Sequence, residues 1–155
     1  MLNKLMVCLD GSALAEEIIP VVTDIAKCFA GTVVLFQAID EPTTYVSPSL
    51  PRSGDDVSDV LRRKSKDDEY RALGYLEKMA KPLRDEGLDI ECATLMDEAS
   101  KAILQYASEN SVKLIAIATH GHGGLKRMFF GSVADKVLRQ SGVPVLVIKS
   151  QKGEG

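Results

Sequence analysis

The sequence has no C-x-x-C pair: its three cysteines, Cys8, Cys28 and Cys92, stand far apart, each in an apolar or alternating stretch. That spacing argues against a disulfide framework or a cysteine-rich metal site and predicts buried free thiols. Basic residues are not in excess either. A net charge of -3 offers no electrostatic footprint for DNA, RNA or an anionic membrane, so no nucleic-acid or membrane partner is expected. Long apolar runs are missing as well. None reaches the roughly 20 residues that a membrane span requires, and the N-terminal stretch lacks the long apolar core of a signal peptide, so a cytoplasmic location is expected.

Familiar catalytic signatures are missing too. There is no G-x-x-x-x-G-K-[S/T] loop, no G-x-S-x-G elbow and no cysteine placed with a histidine partner. His120 and His122 lie one residue apart but have no evident third ligand nearby, so a metal site is not expected. A phosphoacceptor receiver domain would need adjacent acidic residues after its first strand, where this chain has Asp10 followed by Gly11.

What is present is ordinary for a folded domain. The chain has 155 residues, 45% hydrophobic and 26% charged, which suits one globular domain with a real core, over residues 1–150, and a short tail, 151–155. Lys4 to Leu9 reads as a first strand. A helix is predicted from about Ser12 to Phe29, kinked at Pro20, with Leu14, Ile18, Val21, Val22, Ile25 and Phe29 at helical spacing. Thr32 to Ile39 is a second strand rich in β-branched residues.

Residues 40–58, with three prolines and four serines, read as a long loop, either a lid or a solvated insertion. A helix from about Val60 to Glu86 follows, then an alternating stretch around Leu88, Ile90 and Cys92 that marks a sheet edge. Asp97 is read as the cap of a helix running to about Glu109. The unalternated run Leu114 to Ala118 reads as a strand covered on both faces, and Val143 to Ile148 as the last strand. Strands that alternate with helices imply a parallel sheet with helices on both faces, an α/β, doubly wound (Rossmann-like) domain of five strands, and the exposed third strand and buried first and fourth fit the order 3-2-1-4-5. In that order the connections reverse between strands 1 and 4, and ligands bind beyond the carboxyl ends of such strands.

Asp10 follows strand 1, and a glycine-rich stretch follows strand 4. That stretch carries Gly121, Gly123 and Gly124 with Lys126 and Arg127, and ends at Gly131-Ser132. Ser132 is read as a helix N-cap with Asp135 as its capping-box partner, and Val133, Val137 and Leu138 as the helix's apolar side. Glycines feeding a helix N-terminus make an anion site, because backbone N–H groups approach closely and carry partial positive charge. A phosphate-binding crevice without an evident base or nucleophile favours binding over turnover.

Ala118-Thr119-His120-Gly121, nine further residues, then Gly131-Ser132 resembles the G-x-x-G-(nine residues)-G-[S/T] motif of the universal stress protein family. The resemblance implies ATP as ligand, with Mg or Mn held by phosphates and water. It implies Cys8, Leu9 and Asp10 along the adenine-ribose side, Ala38 at the base, and Gly121, Gly131, Ser132 and Val133 on the phosphates, with Ala118 and His120 also in the nucleotide site. Ala118 replaces the motif's first glycine, a place where a methyl group could crowd ribose or phosphates. Two functions therefore stay open: an ATP-binding stress-response regulator with no or very slow hydrolysis, read by protein partners, and a nucleotide-free scaffold. A homodimer through Val143 to Ile148 is expected, since this apolar edge strand carries no inward charge and only Pro144 blunts it.

Overall fold

The computed structural model describes residues 2–41, 57–119 and 131–149. β1 (Lys4–Cys8) is buried from Leu5 to Cys8. A strand apolar on both faces belongs in the middle of a covered sheet, and β1 lies there. It pairs in parallel with β2 (Thr32–Ile39) on one side, Cys8 opposite Phe36, and with β4 (Leu114–Thr119) on the other, Cys8 opposite Ile117. β3 (Asp89–Met96) adds outside β2, and β5 (Val145–Lys149) outside β4. The five-stranded sheet thus has the expected order β3-β2-β1-β4-β5.

Two cores sandwich the sheet. On one face, α1 (Ala13–Glu16), α2 (Ile18–Cys28) and α3 (Val57–Asp85) bring Ala15, Ile18, Val22, Leu76 and Leu83 onto Leu5, Val7, Val33 and Leu35. On the other, α4 (Ala99–Glu109) and α5 (Ser132–Gln140) bring Ala102, Ile103, Ala134 and Val137 onto Met6, Phe36, Ile115 and Ile117. Each large aliphatic side chain fully buried this way contributes about 1.5–3 kcal/mol. Among the described residues no helix is long and apolar enough to cross a membrane.

The first helix is two helices. The break falls at Glu17, one turn before Pro20, because proline has no N–H to give the carbonyl four residues back. Glu17 N–H turns to Leu14 O instead, at 3.2 Å. Val21, counted on the apolar side, is 41% exposed. Cys28 is exposed at the end of α2, contrary to the expectation of three buried thiols, whereas Cys8 is buried and Cys92 half-buried. Helix α3 starts at Val57, earlier than expected, and ends in a Schellman turn: Gly87 at φ 90° donates to Arg84 O at 2.9 Å, and Leu88 donates to Leu83 O at 3.2 Å.

Glu98, not Asp97, is the N-cap of α4. The Asp97 carboxylate instead accepts the Glu98 N–H at 2.6 Å, and the Asp97 N–H goes to Ile39 O at 3.1 Å. β5 begins at Val145 rather than Val143. Ser141 and Val143 are tied into a turn before it, with Ser141 Oγ donating to Val143 O at 2.7 Å. The expectations for residues 42–56, for His120 to Phe130 and for the tail lie outside the described residues.

Candidate functional site

Strand β1 stops at Cys8, but β4 continues to Thr119, and helices leave the two strands toward opposite faces of the sheet. A crevice of about 310 Å3 opens where they part, beyond the carboxyl ends of the strands. Ligand pockets begin at about this size. Of the expected site residues, Cys8, Leu9, Asp10, Ala38, Ala118, Gly131, Ser132 and Val133 all line it, while His120 and Gly121 lie outside the described residues.

Asp10 is exposed, and its local structure orients it. Gly11 takes φ 82°, which lets the chain fold back so that Asp10 Oδ1 accepts the Ser12 N–H at 2.9 Å and the Ser12 hydroxyl. Ser12 Oγ in turn caps α1 by accepting Ala15 N–H at 3.1 Å. Asp10 is therefore the turn residue and Ser12 the cap, with Asp10 Oδ1 taken up by Ser12. From α3, the Tyr75 hydroxyl reaches Glu16 Oε1 at 3.0 Å. Burial, then this hydrogen bond and the Glu16 charge, then Asp10, all push the phenol pKa up. Tyr75 is thus held neutral beside the two carboxylates.

Much of the crevice lining is apolar. Cys8, Leu9, Phe36, Ile103 and Ile117 belong to it, and burial pushes the Cys8 thiol up to about 12, so it behaves as a neutral group. Sequence reading overlooked Leu14, Ala15, Phe36, Ala99, Ile103, Ile117, Thr119 and Ala134 as lining residues. Most of them are core-type side chains whose place at a strand end or first helical turn is their only signal. Ala118 packs with the core on the α1 side of the sheet. Strand alternation therefore puts its methyl group on the opposite face of β4 from Thr119 and α5.

The N-terminus of α5 differs from expectation. Gly131, with φ -50° and ψ 150°, is the N-cap, and Ser132 is the first helical residue without a side-chain cap bond. Asp135 therefore does not close a capping box; it pairs with Arg139 Nε at 2.9 Å, and its N–H goes to Gly131 O. The Gly131 N–H is itself engaged by Thr119 Oγ1 at 3.0 Å. Among the described residues, the donors left at the end of α5 are the N–H groups of Ser132, Val133 and Ala134 and the Ser132 hydroxyl. They carry the positive end of the helix dipole. Glu98, at the start of α4, reaches across to Lys136 of α5 and holds the two helices together beside the crevice; that lysine, then Ser100, lowers its carboxyl pKa.

The profile of the universal stress protein family matches residues 1–149. The chain is 29% identical over 152 residues to universal stress protein MJ0531 of Methanocaldococcus jannaschii, a match covering 98% of this chain and 85% of that protein. Its fold matches the structure of protein MJ0577 of the same organism with a TM-score of 0.76 and 25% identity, over 98% of this chain and 99% of that one. An Arabidopsis thaliana universal stress family protein solved with AMP bound shares the fold at a TM-score of 0.65 and 15% identity, over 97% and 93% of the two chains.

Proposed function

The chain belongs to the universal stress protein family, and from that premise we propose that its switch-point crevice binds ATP as a regulatory ligand in a stress response, with no or very slow hydrolysis. The observation that carries this reading is the meeting of apolar side chains, the Asp10 carboxylate and the N-terminus of α5 in one crevice. These suit base, ribose hydroxyls and phosphates in turn. In this reading the base lies between Ala38 and the Cys8, Leu9 side, Asp10 Oδ2 accepts from the ribose, and Ser132, Val133 and Ala134 donate to phosphate. Mg or Mn, when bound, would neutralise phosphate charge, held by the phosphates and water.

The Ala118 methyl group packs with the α1-side core, on the face of β4 away from α5, which supports nucleotide binding over the scaffold reading at the phosphate end. The Arabidopsis relative carries AMP; that likeness extends to the fold, so the assignment here rests on this chain's own crevice. Asp10 is the one acidic side chain lining the described crevice, and Ser12 already engages it. Water activation is therefore poorly served. Calorimetry with ATP should show saturable binding, and acid extraction should release adenine nucleotide from the purified protein. No heat at millimolar ATP and no extracted nucleotide would leave the scaffold reading standing.

The same proposal includes a homodimer through β5. Ile115 N–H donates to Pro144 O at 3.0 Å. In a parallel ladder alternate residues bond to the neighbour, so the peptide groups of Val145 and Val147 face away from β4. Among the described residues they form an open edge between half-buried apolar side chains, which antiparallel pairing with a second copy would cover. Val147→Pro removes an outward N–H and leaves the β4 ladder intact. Sedimentation at micromolar concentration should show about twice the chain mass for wild type and a folded monomer for the variant. A wild-type monomer, or a variant that still dimerises, would count against β5 as the interface.

A further inference from the structure

We infer that Thr119 is a positioning residue for the phosphate end of the crevice, acting through Gly131; this rests on the nucleotide reading above. Thr119 is the last residue of β4, where it sits opposite Lys149 of β5, and it is 3% exposed. Polar groups buried this deeply are retained where they have a partner. Here the partner is the Gly131 N–H, at 3.0 Å and twelve residues away in sequence. The hydroxyl therefore ties the rigid end of a strand to the N-cap of α5.

Two consequences follow for the donor set. The Gly131 N–H is taken out of it, so an anion meets Ser132, Val133 and Ala134 rather than the motif glycine. The remaining donors follow Gly131 directly in the chain, so the bond that fixes Gly131 also aims them. A Cβ built there would meet only Thr119 Oγ1, at 4.0 Å, among the described atoms. Without the hydroxyl, the first turn of α5 would keep its place through Ala134 and Val137 in the core, while the N-cap would lose its tether to the strand. The effect should be confined to ligands that carry phosphate.

Thr119→Val keeps the shape and the β propensity but removes the hydroxyl. By calorimetry it should weaken ATP about three- to tenfold, the range of one net hydrogen bond, and leave adenosine affinity unchanged. Thr119→Ser should restore ATP affinity, and the Gly131 amide should exchange with solvent faster in the valine variant than in either hydroxyl form. Equal weakening of adenosine and ATP would reduce Thr119 to a packing residue and overturn the inference. So would unchanged ATP affinity, or unchanged exchange at Gly131. If wild type bound neither ligand, the nucleotide reading itself would fall and this inference with it. Binding of adenosine and ATP by wild type, with no difference in the valine variant, would sink the latch alone.

Discussion

Phe36→Ala is expected to destabilise the protein by about 3–5 kcal/mol, a large share of the roughly 5–15 kcal/mol that holds a typical domain folded. The ring is fully buried in β2, on the face covered by α4, and its centroid lies 4.9 Å from that of Tyr106 at a tilt of 38°. Truncation removes the transfer energy of the ring, opens a void beside Met6 and Ile103, and breaks the aromatic pair. Phe36 is also among the residues lining the crevice, so nucleotide affinity should fall along with stability. Urea unfolding measures the first effect and calorimetry on the folded fraction the second. Phe36→Leu, which keeps most of the volume, should lose far less of both. A Phe36→Ala midpoint equivalent to a loss under about 1 kcal/mol would mean that the core closes around the deletion.

The second large effect separates binding from folding at a single residue. Ser132 is exposed at the first position of α5 and makes no hydrogen bond of its own among the described residues. Ser132→Ala removes a donor to a charged group, worth about 1.5–3 kcal/mol, so ATP affinity should fall about tenfold or more. Ser132→Asp should fall further, by at least about a hundredfold, because a carboxylate now stands where phosphate would sit and the two repel. Yet the aspartate suits the positive end of the helix and should stabilise α5 by about 0.3–1 kcal/mol. The expected signature is a melting temperature equal to or above wild type together with loss of ATP binding and retention of adenosine. If Ser132→Asp bound ATP about as tightly as wild type, phosphate would have to lie elsewhere.

These substitutions draw on features that differ in how far they could be read from residues alone. The sheet order was legible because burial leaves its mark on sequence: Leu114 to Ala118 is unalternated and central, while Asp89, Ile90 and Glu91 alternate at an edge. The location of the crevice follows from that order. Helix ends were less legible, since neighbouring small or polar residues compete for the cap. Gly131 and not Ser132, and Glu98 and not Asp97, take the N-cap position, and nothing in composition decides between such neighbours. Leu138 shows a different limit. It has helical spacing, yet it is 42% exposed because α5 is short and rests its Ala134 and Val137 side on the sheet. Thr119 was hidden because a threonine at the end of a strand looks like ordinary β propensity; its one signal is a polar side chain closing an otherwise apolar run.

The central position of β1 also bears on how the chain is made. A ribosome delivers β1 and β2 early, and their parallel pairing can form around α1 and α2. The other edge of β1 has to wait for β4, which emerges only after α3, β3 and α4. Until then Leu5 to Cys8 form a half-occupied template, apolar on both faces and open along one side. Parallel pairings between distant segments form slowly, and unpaired apolar edges invite association with other nascent chains. Yield in the cell should therefore depend on whatever shields that edge during translation, a demand that arises from topology and persists however stable the finished sheet may be.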